Sequence, residues 1–492
     1  MRNLLYLAAA ALVVFGMSIP SNAQDDADGD KKREDIFGKS FEDKVEDAVD
    51  EGCDWLKKQQ GIDPVDPKPV FGKFPENPPL YGSGTPHRYL IARTAFPIQA
   101  LCKSGVFFDE PEIEKAMEWL RENYTENGAV GSMQGFVGST TYEDATLLNA
   151  VEAYYISAWE TKEGGYSNPR KRFKKVEDEN GKKREVPIKR WGTEEKGAKK
   201  KKKDRNFKLD RKDQKMCEIA VKALEARFRR AYGGGGWRYA QPEMGERDPE
   251  TDVSATQYAI LGLKAATRLG VKYDKKMFLE VFRYLRGQQD KDGPVVKGSW
   301  KKKAEDDDKK KGRGTSSEGP PPELKARGWG YCRQSNHNPR DKETYGSMTA
   351  AAVNALILIR DELVDDPAHR KTWESMEKEC NQMIGDGLGW MIQNWDMTQN
   401  PRAGMYRYYY YLYTVERLCM LGGLDEIGGH DWYYEGADVL LKDQQDNGMW
   451  DIENEIDPSD IYNTCYALLF LKRATEGSDR PIPVITGGDG EE

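Results

Sequence analysis

The sequence predicts an all-α protein, an (α/α)6 toroid in which outer and inner helices alternate around a double ring. Three observations in the 492-residue chain predict this fold. Segments with a single apolar stripe alternate with segments that are apolar around most of their circumference. Six segments of each kind occur, which is the number of pairs that closes such a ring. Turns rich in glycine and tryptophan follow several of the outer segments.

The outer helices are predicted from segments whose apolar residues recur about every 3.6 residues. In the first segment, Val45, Val49, Cys53 and Leu56 show this spacing among mostly charged neighbours. One apolar stripe on a charged helix is typical of a helix that covers a core from outside. The six predicted outer helices span residues 43–59, 112–124, 213–231, 275–289, 371–394 and 433–446.

The inner helices are predicted from segments that are apolar on nearly every face, such as residues 350–359. A helix of this kind is buried on all sides. Pro97 falls in the first of these segments, and proline is tolerated in the first turn of a helix. We therefore expect that helix to begin near Ala95, with Thr94 as its cap. The six predicted inner helices span residues 95–104, 141–158, 252–269, 345–361, 405–421 and 460–473.

Residues 41–474 are predicted to form a single toroid domain behind an export signal. A basic start, an apolar run over residues 4–17 and a small-residue site ending at Ala23 are typical of a signal peptide covering residues 1–23. The apolar run is short for a membrane span. We expect a periplasmic or extracellular protein without stable membrane insertion. The other predicted segments are a disordered leader (24–40), lysine-rich insertions (160–211 and 294–328) and a disordered tail (475–492).

Charge and cysteine usage argue against several function classes. The formal net charge is −8 at pH 7, and lysine runs such as 199–203 occur in segments of mixed charge, which favours solvated loops over a nucleic-acid surface. The seven cysteines are scattered singly and form no CxxC pair, so the motifs of thiol-redox and zinc-ribbon proteins are missing. We expect buried free thiols. One disulfide in an oxidising compartment is the alternative. We expect no nucleic acid, no metal and no cofactor.

The turns that follow the outer segments resemble the Gln-Trp repeat of squalene and oxidosqualene cyclases. The best match is the last turn, Gln445-x2-Gly448-x-Trp450. In that family the glutamine caps helix ends and stacks on the tryptophan. The resemblance implies membership of the toroid superfamily of terpenoid cyclases and protein prenyltransferases. It implies structural turn roles for Trp237, Trp300, Trp329, Gln445 and Trp450.

Two motifs of that superfamily occur here without their reactive residues. Residues 252–256 resemble the Asp-x-Asp-Asp-Thr motif of squalene-hopene-type cyclases, but Ser254 stands where the proton-donating Asp is expected, and a hydroxyl is too weak an acid to protonate an alkene. Residues 460–466 resemble a stretch of prenyltransferase β-subunits, with Asn463 in place of a zinc-binding His. The resemblance therefore implies neither standard protonation-initiated cyclisation nor zinc-dependent prenyl transfer.

The inner helices are expected to run parallel, so their N-termini should meet at one mouth of the ring. Asp252 is the first suspect for catalysis, although an aspartate near a helix N-terminus is also a routine cap. The aromatic segment 405–413 either packs the wall of the barrel or lines a cavity. The candidate ligand-binding residues at this mouth are Asp144, Asp252, Tyr345, Arg407, Tyr408, Asp460 and Asn463.

Three functions remain open, and the sequence does not decide whether the protein is an enzyme. The favoured one is an exported, non-catalytic toroid that binds an apolar small molecule or a protein partner. The second is a divergent terpenoid-cyclase-like enzyme that uses Asp252 on an isoprenoid. The third is a carbohydrate-active (α/α)6 enzyme, which needs two carboxylates about 5–10 Å apart, here from Asp144, Asp252 and Asp460. An aromatic, water-poor cavity would favour isoprenoid binding, and an open acidic cleft would favour sugars. A filled barrel would favour a scaffold.

Overall fold

The structure is a computed structural model of the chain. The predicted signal peptide, the leader up to residue 39 and much of the two insertions lie outside the described residues. The chain divides into two units, residues 1–44 and 45–492. In the first, Asp43 N–H donates to Ser40 Oγ at 3.2 Å and starts a helix. The structure describes residues 40–60, 90–125, 128–129, 140–168, 172–177, 183–187, 207–231, 234–239, 251–296, 300–301, 324–334, 339–452, 460–478, 480 and 482.

The second unit contains an inner ring of six helices. Each inner helix packs against the next one along the chain, and the last packs against the first, so the ring is closed. These helices are apolar on almost every side and buried, as the sequence pattern predicts. They are α2 (Leu90–Lys103), α4 (Thr141–Glu163), α6 (Val253–Arg268), α8 (Gly346–Val364), α11 (Tyr408–Gly422) and α13 (Asp460–Leu471).

Outer helices cover this ring and alternate with the inner ones along the chain. Each buries its single apolar stripe against the inner ring, which confirms the all-α toroid prediction. The outer helices are α1 (Phe41–Gln59), α3 (Pro111–Asn123), α5 (Arg211–Arg227), α7 (Lys276–Gln288), the short α9 (Arg370–Glu374), α10 (Glu377–Gln393) and α12 (Trp432–Asp443).

Short antiparallel strands accompany the turns and the insertions. The strand pairs are β1 (Tyr124–Thr125) with β2 (Gly128–Ala129), β3 (Phe173–Glu177) with β4 (Lys183–Pro187), β5 (Arg229–Ala231) with β6 (Gly234–Gly236), β7 (Val295–Val296) with β9 (Leu324–Lys325), and β10 (Glu426–Ile427) with both β8 (Trp300–Lys301) and β11 (His430–Asp431).

Several predicted helix boundaries differ from the structure. The outer helix predicted at 213–231 ends at Arg227, and residues 229–231 form strand β5, while the inner helix predicted from residue 405 begins at Tyr408. Helix α2 begins at Leu90, so Pro97 lies in its interior, and the prediction of Thr94 as a cap is wrong. Burial of the whole helix inside the ring outweighs the hydrogen bond that proline removes. The outer segment predicted at 371–394 is two helices, because the chain bends at Ser375 and buries Trp373 against Phe282, with ring centroids 5.6 Å apart.

A tryptophan joint that recurs three times ties the outer helices α5, α7 and α12 to the inner helices that follow them, α6, α8 and α13. The tryptophan is fully buried, and its indole N–H donates to a leucine carbonyl near the end of the preceding outer helix. Its backbone N–H donates at 3.1 Å to a threonine Oγ1 in the first turns of the next inner helix. The Leu–Trp–Thr joints are Leu224–Trp237–Thr256, Leu285–Trp329–Thr349 and Leu440–Trp450–Thr464.

Glutamines at the ends of outer helices add a second tie. Gln289 Nε2 donates to the carbonyl of Met383 on the next outer helix, at 3.2 Å. At the last turn, Gln444 carries this contact and donates to the carbonyl of Ala48 at 2.9 Å, whereas Gln445 is exposed. The shift by one residue follows from the end of α12 at Asp443, which turns Gln444 towards α1. The side chain of Trp300 lies outside the described residues.

Candidate functional site: a tyrosine cup at one mouth of the ring

A floor of tyrosines crosses the inner ring. Tyr258 on α6 and Tyr466 on α13 belong to opposite helices, and their hydroxyls are 2.6 Å apart. Tyr410 and Tyr413 on α11 pack against Tyr466, with ring centroids 5.7 and 5.6 Å away. Tyr258 follows the cap of its helix by six residues, which places the floor about 9 Å below the mouth. We call these four side chains the floor.

The walls above the floor are tyrosines from inner helices and from the Trp turns. The motif Trp-x-Tyr occurs in two turns, where the tryptophan enters the core and the tyrosine two residues later lies over a neighbouring inner helix. The carbonyl of Tyr239 accepts from Thr141 N–H at 2.9 Å, and that of Tyr331 from Val253 N–H at 3.0 Å. These bonds fix both side chains at the mouth. With Tyr142, Tyr345 and Tyr406 they form what we call the tyrosine cup.

Contacts between phenols make the cup continuous. The rings of Tyr142 and Tyr239 lie 5.2 Å apart, and Tyr331 Oη donates to Tyr239 Oη at 3.0 Å. Tyr142 Oη donates to Ser254 Oγ at 3.0 Å, while its ring packs on Tyr258 of the floor at 5.0 Å. Tyr142, Tyr239, Tyr331 and the floor are therefore one connected aromatic surface. Tyr345 lies close enough to Tyr406 and Tyr410 for each of them to influence its pKa, which burial raises.

The rim of the cup is unusually exposed for large side chains. Five large apolar or aromatic residues of the described chain are exposed, and three of them are here: Tyr239 (39%), Met405 (43%) and Tyr406 (43%). Exposed aromatic patches of this kind commonly mark contact surfaces. The cup therefore presents aromatic surface to the outside of the ring.

Asp252 is the carboxylate of the cup wall. It caps α6, with Oδ1 accepting from Ala255 N–H at 2.6 Å, and its side chain is fully buried. Oδ2 has no hydrogen-bond partner within the described chain, and Arg238 Nη1 lies 3.9 Å away. Burial raises the pKa of Asp252 to about 6, against the lowering effects of Ala255 N–H, Arg238 and Tyr331. Burial also raises the pKa of nearby phenols, and the charge of Asp252 adds to the rise in Tyr142, Tyr239, Tyr331 and Tyr345.

Two arginines from α11 and its cap also reach the aromatic surface. Arg407 caps α11 in the left-handed region (φ 53°), and its guanidinium lies 5.7 Å from the ring centre of Tyr406. Arg417 is buried beneath the floor, 3.7 Å from the ring centre of Tyr413 and 5.6 Å from that of Tyr258. A cation over an aromatic face is stabilised by the ring quadrupole, so Arg417 holds the floor in place.

The structure brings three of the predicted site residues together in the cup, Asp252, Tyr345 and Arg407, and uses Asp144 elsewhere. Asp144 forms a buried ion pair with Arg227 of α5 and accepts from Tyr124 Oη at 2.6 Å. Asp144 follows its helix cap by four residues, as Thr256 does. It therefore points outwards, towards the ends of the outer helices α3 and α5, and holds the position of the threonine in the tryptophan joint.

The remaining predicted residues lie around the starts of α11 and α13. Tyr408 is fully buried, and its hydroxyl donates to the carbonyl of Met397 at 2.6 Å. Asp460 Oδ1 accepts from its neighbour's backbone N–H in the first turn of α13. Asp460 and Asn463 both lie near Asp451, since each influences the pKa of that carboxyl, which burial raises.

Sequence reasoning missed most of the cup. Tyr142, Tyr239, Tyr258, Tyr331 and Tyr466 were not among the candidate residues, although two patterns could have found four of them. One is Trp-x-Tyr in the turns, and the other is the tyrosine six residues after the aspartate in both Asp-x3-Thr segments. Neither pattern distinguishes a lumen-facing phenol from a core phenol without the ring geometry.

The described part of the C-terminal segment packs against α8 and α11 near their C-terminal ends, at the opposite end of the ring. Thr475 donates to the buried Glu416 of α11 from its backbone N–H at 2.9 Å and from Oγ1 at 2.7 Å. Ile482 N–H donates to the carbonyl of Gly422 at 3.0 Å, and Arg480 pairs with Asp365 at the end of α8. Burial raises the pKa of Glu416 to about 7. The cup is therefore at the end of the ring away from this segment.

Neither a metal site nor a membrane span is found in the part of the chain that the structure describes. Its His, Cys, Asp and Glu side chains form no group of three that could hold a metal ion. None of its helices combines the length and apolarity needed to cross a bilayer. All seven cysteines are buried free thiols.

The fold and the site define an (α/α)6 toroid whose inner ring carries a tyrosine-lined cup at one mouth. No protein-family model matches the sequence, and no curated protein matches it.

Solved structures with a similar fold include enzymes of two kinds, glycoside hydrolases and a terpene cyclase. A family 76 glycoside hydrolase from a bovine Bacteroides thetaiotaomicron strain has 8% identity and a TM-score of 0.46, over 87% of this chain and 77% of that one. An inactive variant of an α-1,6-mannanase of Salegentibacter, in complex with α-1,6-mannotriose, has 8% identity and a TM-score of 0.45, over 87% and 98%. A variant of a type II terpene cyclase from Scytonema, in complex with geranylgeranyl dihydroxybenzoate, has 11% identity and a TM-score of 0.40, over 88% and 98%.

Proposed function

We propose that the protein is a binding toroid whose tyrosine cup holds a small-molecule ligand. The observation that carries this proposal is the convergence of five wall tyrosines over a floor that crosses the ring. Aromatic side chains bury large areas at little entropic cost, and concave aromatic sites with a few polar groups are typical ligand sites. The exposed rim, with Tyr239, Met405 and Tyr406, gives a ligand or a partner access to this surface.

Binding without chemistry is the favoured form of this proposal. Ser254 replaces the cyclase acid, and its hydroxyl is engaged by Tyr142. Asn463 replaces the zinc-binding histidine of the prenyltransferases, and an amide does not supply that ligand chemistry. Export is part of the proposal, because residues 1–23 have the pattern of a signal peptide. A protein partner docking on the rim is the alternative occupant.

The environment of Asp252 supports a second candidate function, namely an enzyme that uses this carboxyl group as a general acid. A buried carboxyl whose pKa is raised to about 6 holds a proton more readily than a solvated one. A glycoside hydrolase also needs a second carboxylate, and Asp341, whose charge contributes to raising the pKa of Asp252, is the residue to test with it. Loss of a reaction in both Asp252→Asn and Asp341→Asn would establish this candidate over pure binding.

Native mass spectrometry of the mature protein, purified from its own membrane-containing extract, tests the proposed function. We expect an adduct that is reduced in Tyr406→Ala and retained in Tyr434→Ala. Tyr434→Ala is the matched control for Tyr406→Ala. The two side chains are similarly exposed, Tyr406 at 43% and Tyr434 at 40%, but Tyr434 lies on outer helix α12. A clean apo mass, or an adduct retained equally by both variants, would count against a ligand in the cup.

A further inference from the structure

Every aromatic wall of the cup is a tyrosine. The five walls are Tyr142, Tyr239, Tyr331, Tyr345 and Tyr406, and the four floor residues are tyrosines too. Phe96 also packs on the floor, with its ring centroid 4.9 Å from that of Tyr466. A phenol combines an apolar face with a hydroxyl that needs a hydrogen-bond partner. The walls therefore offer flat apolar surface and hydroxyl groups at the same time, whereas phenylalanine would offer the surface alone.

Buried polar atoms around the cup and its floor have no hydrogen-bond partner within the described chain. They are an acceptor, Asp252 Oδ2, and two donors, Gln257 Nε2 and Arg417 Nη1, on side chains that are 0%, 0% and 3% exposed. Tyr331 Oη lies close enough to lower the pKa of Asp252, yet it donates to Tyr239. A buried polar atom left unpaired is costly, so an occupant of the cup that pairs with Asp252 Oδ2 is preferred over one that cannot. Arg417 lies beneath the floor and is not within reach of such an occupant.

The balance of charge at the cup argues against a strongly charged occupant. Asp252 faces Arg238 at 3.9 Å, and Arg407 lies at the rim. A cation would meet the two arginines, and a multivalent anion would meet the buried carboxylate. An isoprenoid chain is neutral, but it can pair with none of the unsatisfied polar atoms.

We propose that the cup binds a neutral polyhydroxylated ring, that is, a sugar residue; this inference rests on the proposed binding function and names its ligand class. The ring lies against the tyrosine faces, and one of its hydroxyls donates to Asp252 Oδ2, which has no hydrogen-bond partner within the described residues. Because each sugar hydroxyl is both a donor and an acceptor, the same ring also accepts from the phenols of the wall.

Saturation-transfer NMR on the mature full-length protein tests this inference with five probes: D-glucose, D-mannose, D-galactose, N-acetylglucosamine and farnesol. We expect at least one sugar to bind and farnesol not to compete with it. Asp252→Asn keeps the Oδ1 acceptor for Ala255 N–H, so α6 keeps its cap. It replaces the acceptor Oδ2 by an amide NH2 that donates, so the sugar hydroxyl loses the acceptor to which it donates. It should weaken binding about tenfold. Tyr406→Ala should weaken binding as well, and Tyr434→Ala should leave it unchanged.

The outcomes separate the ligand class from the binding function. If farnesol binds with the same dependence on Tyr406 and no sugar competes, the sugar inference is overturned and the binding function stands. If no probe binds but native mass spectrometry shows the adduct that depends on Tyr406, the sugar inference is overturned and the binding function stands. If no probe binds and no adduct is found, or if Tyr434→Ala weakens binding as much as Tyr406→Ala, both proposals fail. If a sugar binds but Asp252→Asn leaves its affinity unchanged, with a native circular dichroism spectrum, the hydrogen bond to Asp252 is refuted.

Discussion

Replacing Asp144 by alanine should destabilise the toroid without affecting the cup. The carboxylate is fully buried and pairs with Arg227, which is 2% exposed. Removing one partner of a buried ion pair leaves a desolvated charge, at a cost of about 3–5 kcal/mol. With an unfolding entropy of about 2.1 cal/mol/K per residue over roughly 400 residues, the loss corresponds to about 4–6 °C in Tm.

Calorimetry of the wild type, Asp144→Ala and the double variant Asp144→Ala/Arg227→Met measures this effect. The double variant removes the stranded cation, so it should recover most of the stability. A residual loss of about 1 kcal/mol is expected from Tyr124, whose hydroxyl donates to Asp144. Unchanged Tm together with loss of a bound ligand would refute this reasoning and return Asp144 to the binding site.

Three further predictions concern the joints and the cup. Thr256→Val removes the acceptor of Trp237 N–H and should cost about 1–3 kcal/mol in urea unfolding, with Thr256→Ser as the neutral control. The pKa of Asp252 is raised in the folded state from 3.8 to about 6, so its ionisation costs stability as pH rises through this window. The stability of Asp252→Asn relative to wild type should therefore grow by about 2.4 kcal/mol between pH 4 and pH 7, and parallel pH curves would contradict this. Gly448→Ala should lower the free energy of unfolding in urea by more than about 1 kcal/mol. Gly448 has a φ of 92°, and a Cβ at this position would lie 2.5 Å from the carbonyl oxygen of Glu51. An unchanged urea midpoint would show that the turn adapts.

The helices and their roles could be predicted because each depends on local periodicity. A helix of the outer ring needs one apolar stripe, and a helix of the inner ring needs apolar residues on all faces; both patterns are written in consecutive residues. Pro97 shows where local rules fail, since propensity places a helix start near it and the packing of α2 inside the ring overrides that preference. Gln444 shows that local rules also fail at a turn. The residue at which α12 ends decides whether Gln444 or Gln445 points towards α1, and it is Gln444 that donates to the carbonyl of Ala48.

The cup could not be predicted, because it depends on contacts between residues that are far apart in the sequence. Tyr258 and Tyr466 are separated by 208 residues, and their hydroxyls meet because closing a ring of six helices places α6 opposite α13. Asp144 and Asp252 look alike in sequence, as acidic residues at the starts of inner helices. Helical phase separates them: the cap position of Asp252 faces the mouth, and a residue four positions further on, like Asp144, faces the outer ring.

The sequence by itself determined the helical toroid, its alternation and its tryptophan turns, because burial and periodicity are properties of neighbouring residues. The tertiary structure alone decided which aromatic residues form a site. Long-range closure of the ring gathers tyrosines from four inner helices and two turns, and it leaves Asp252 buried among them without a full set of hydrogen bonds.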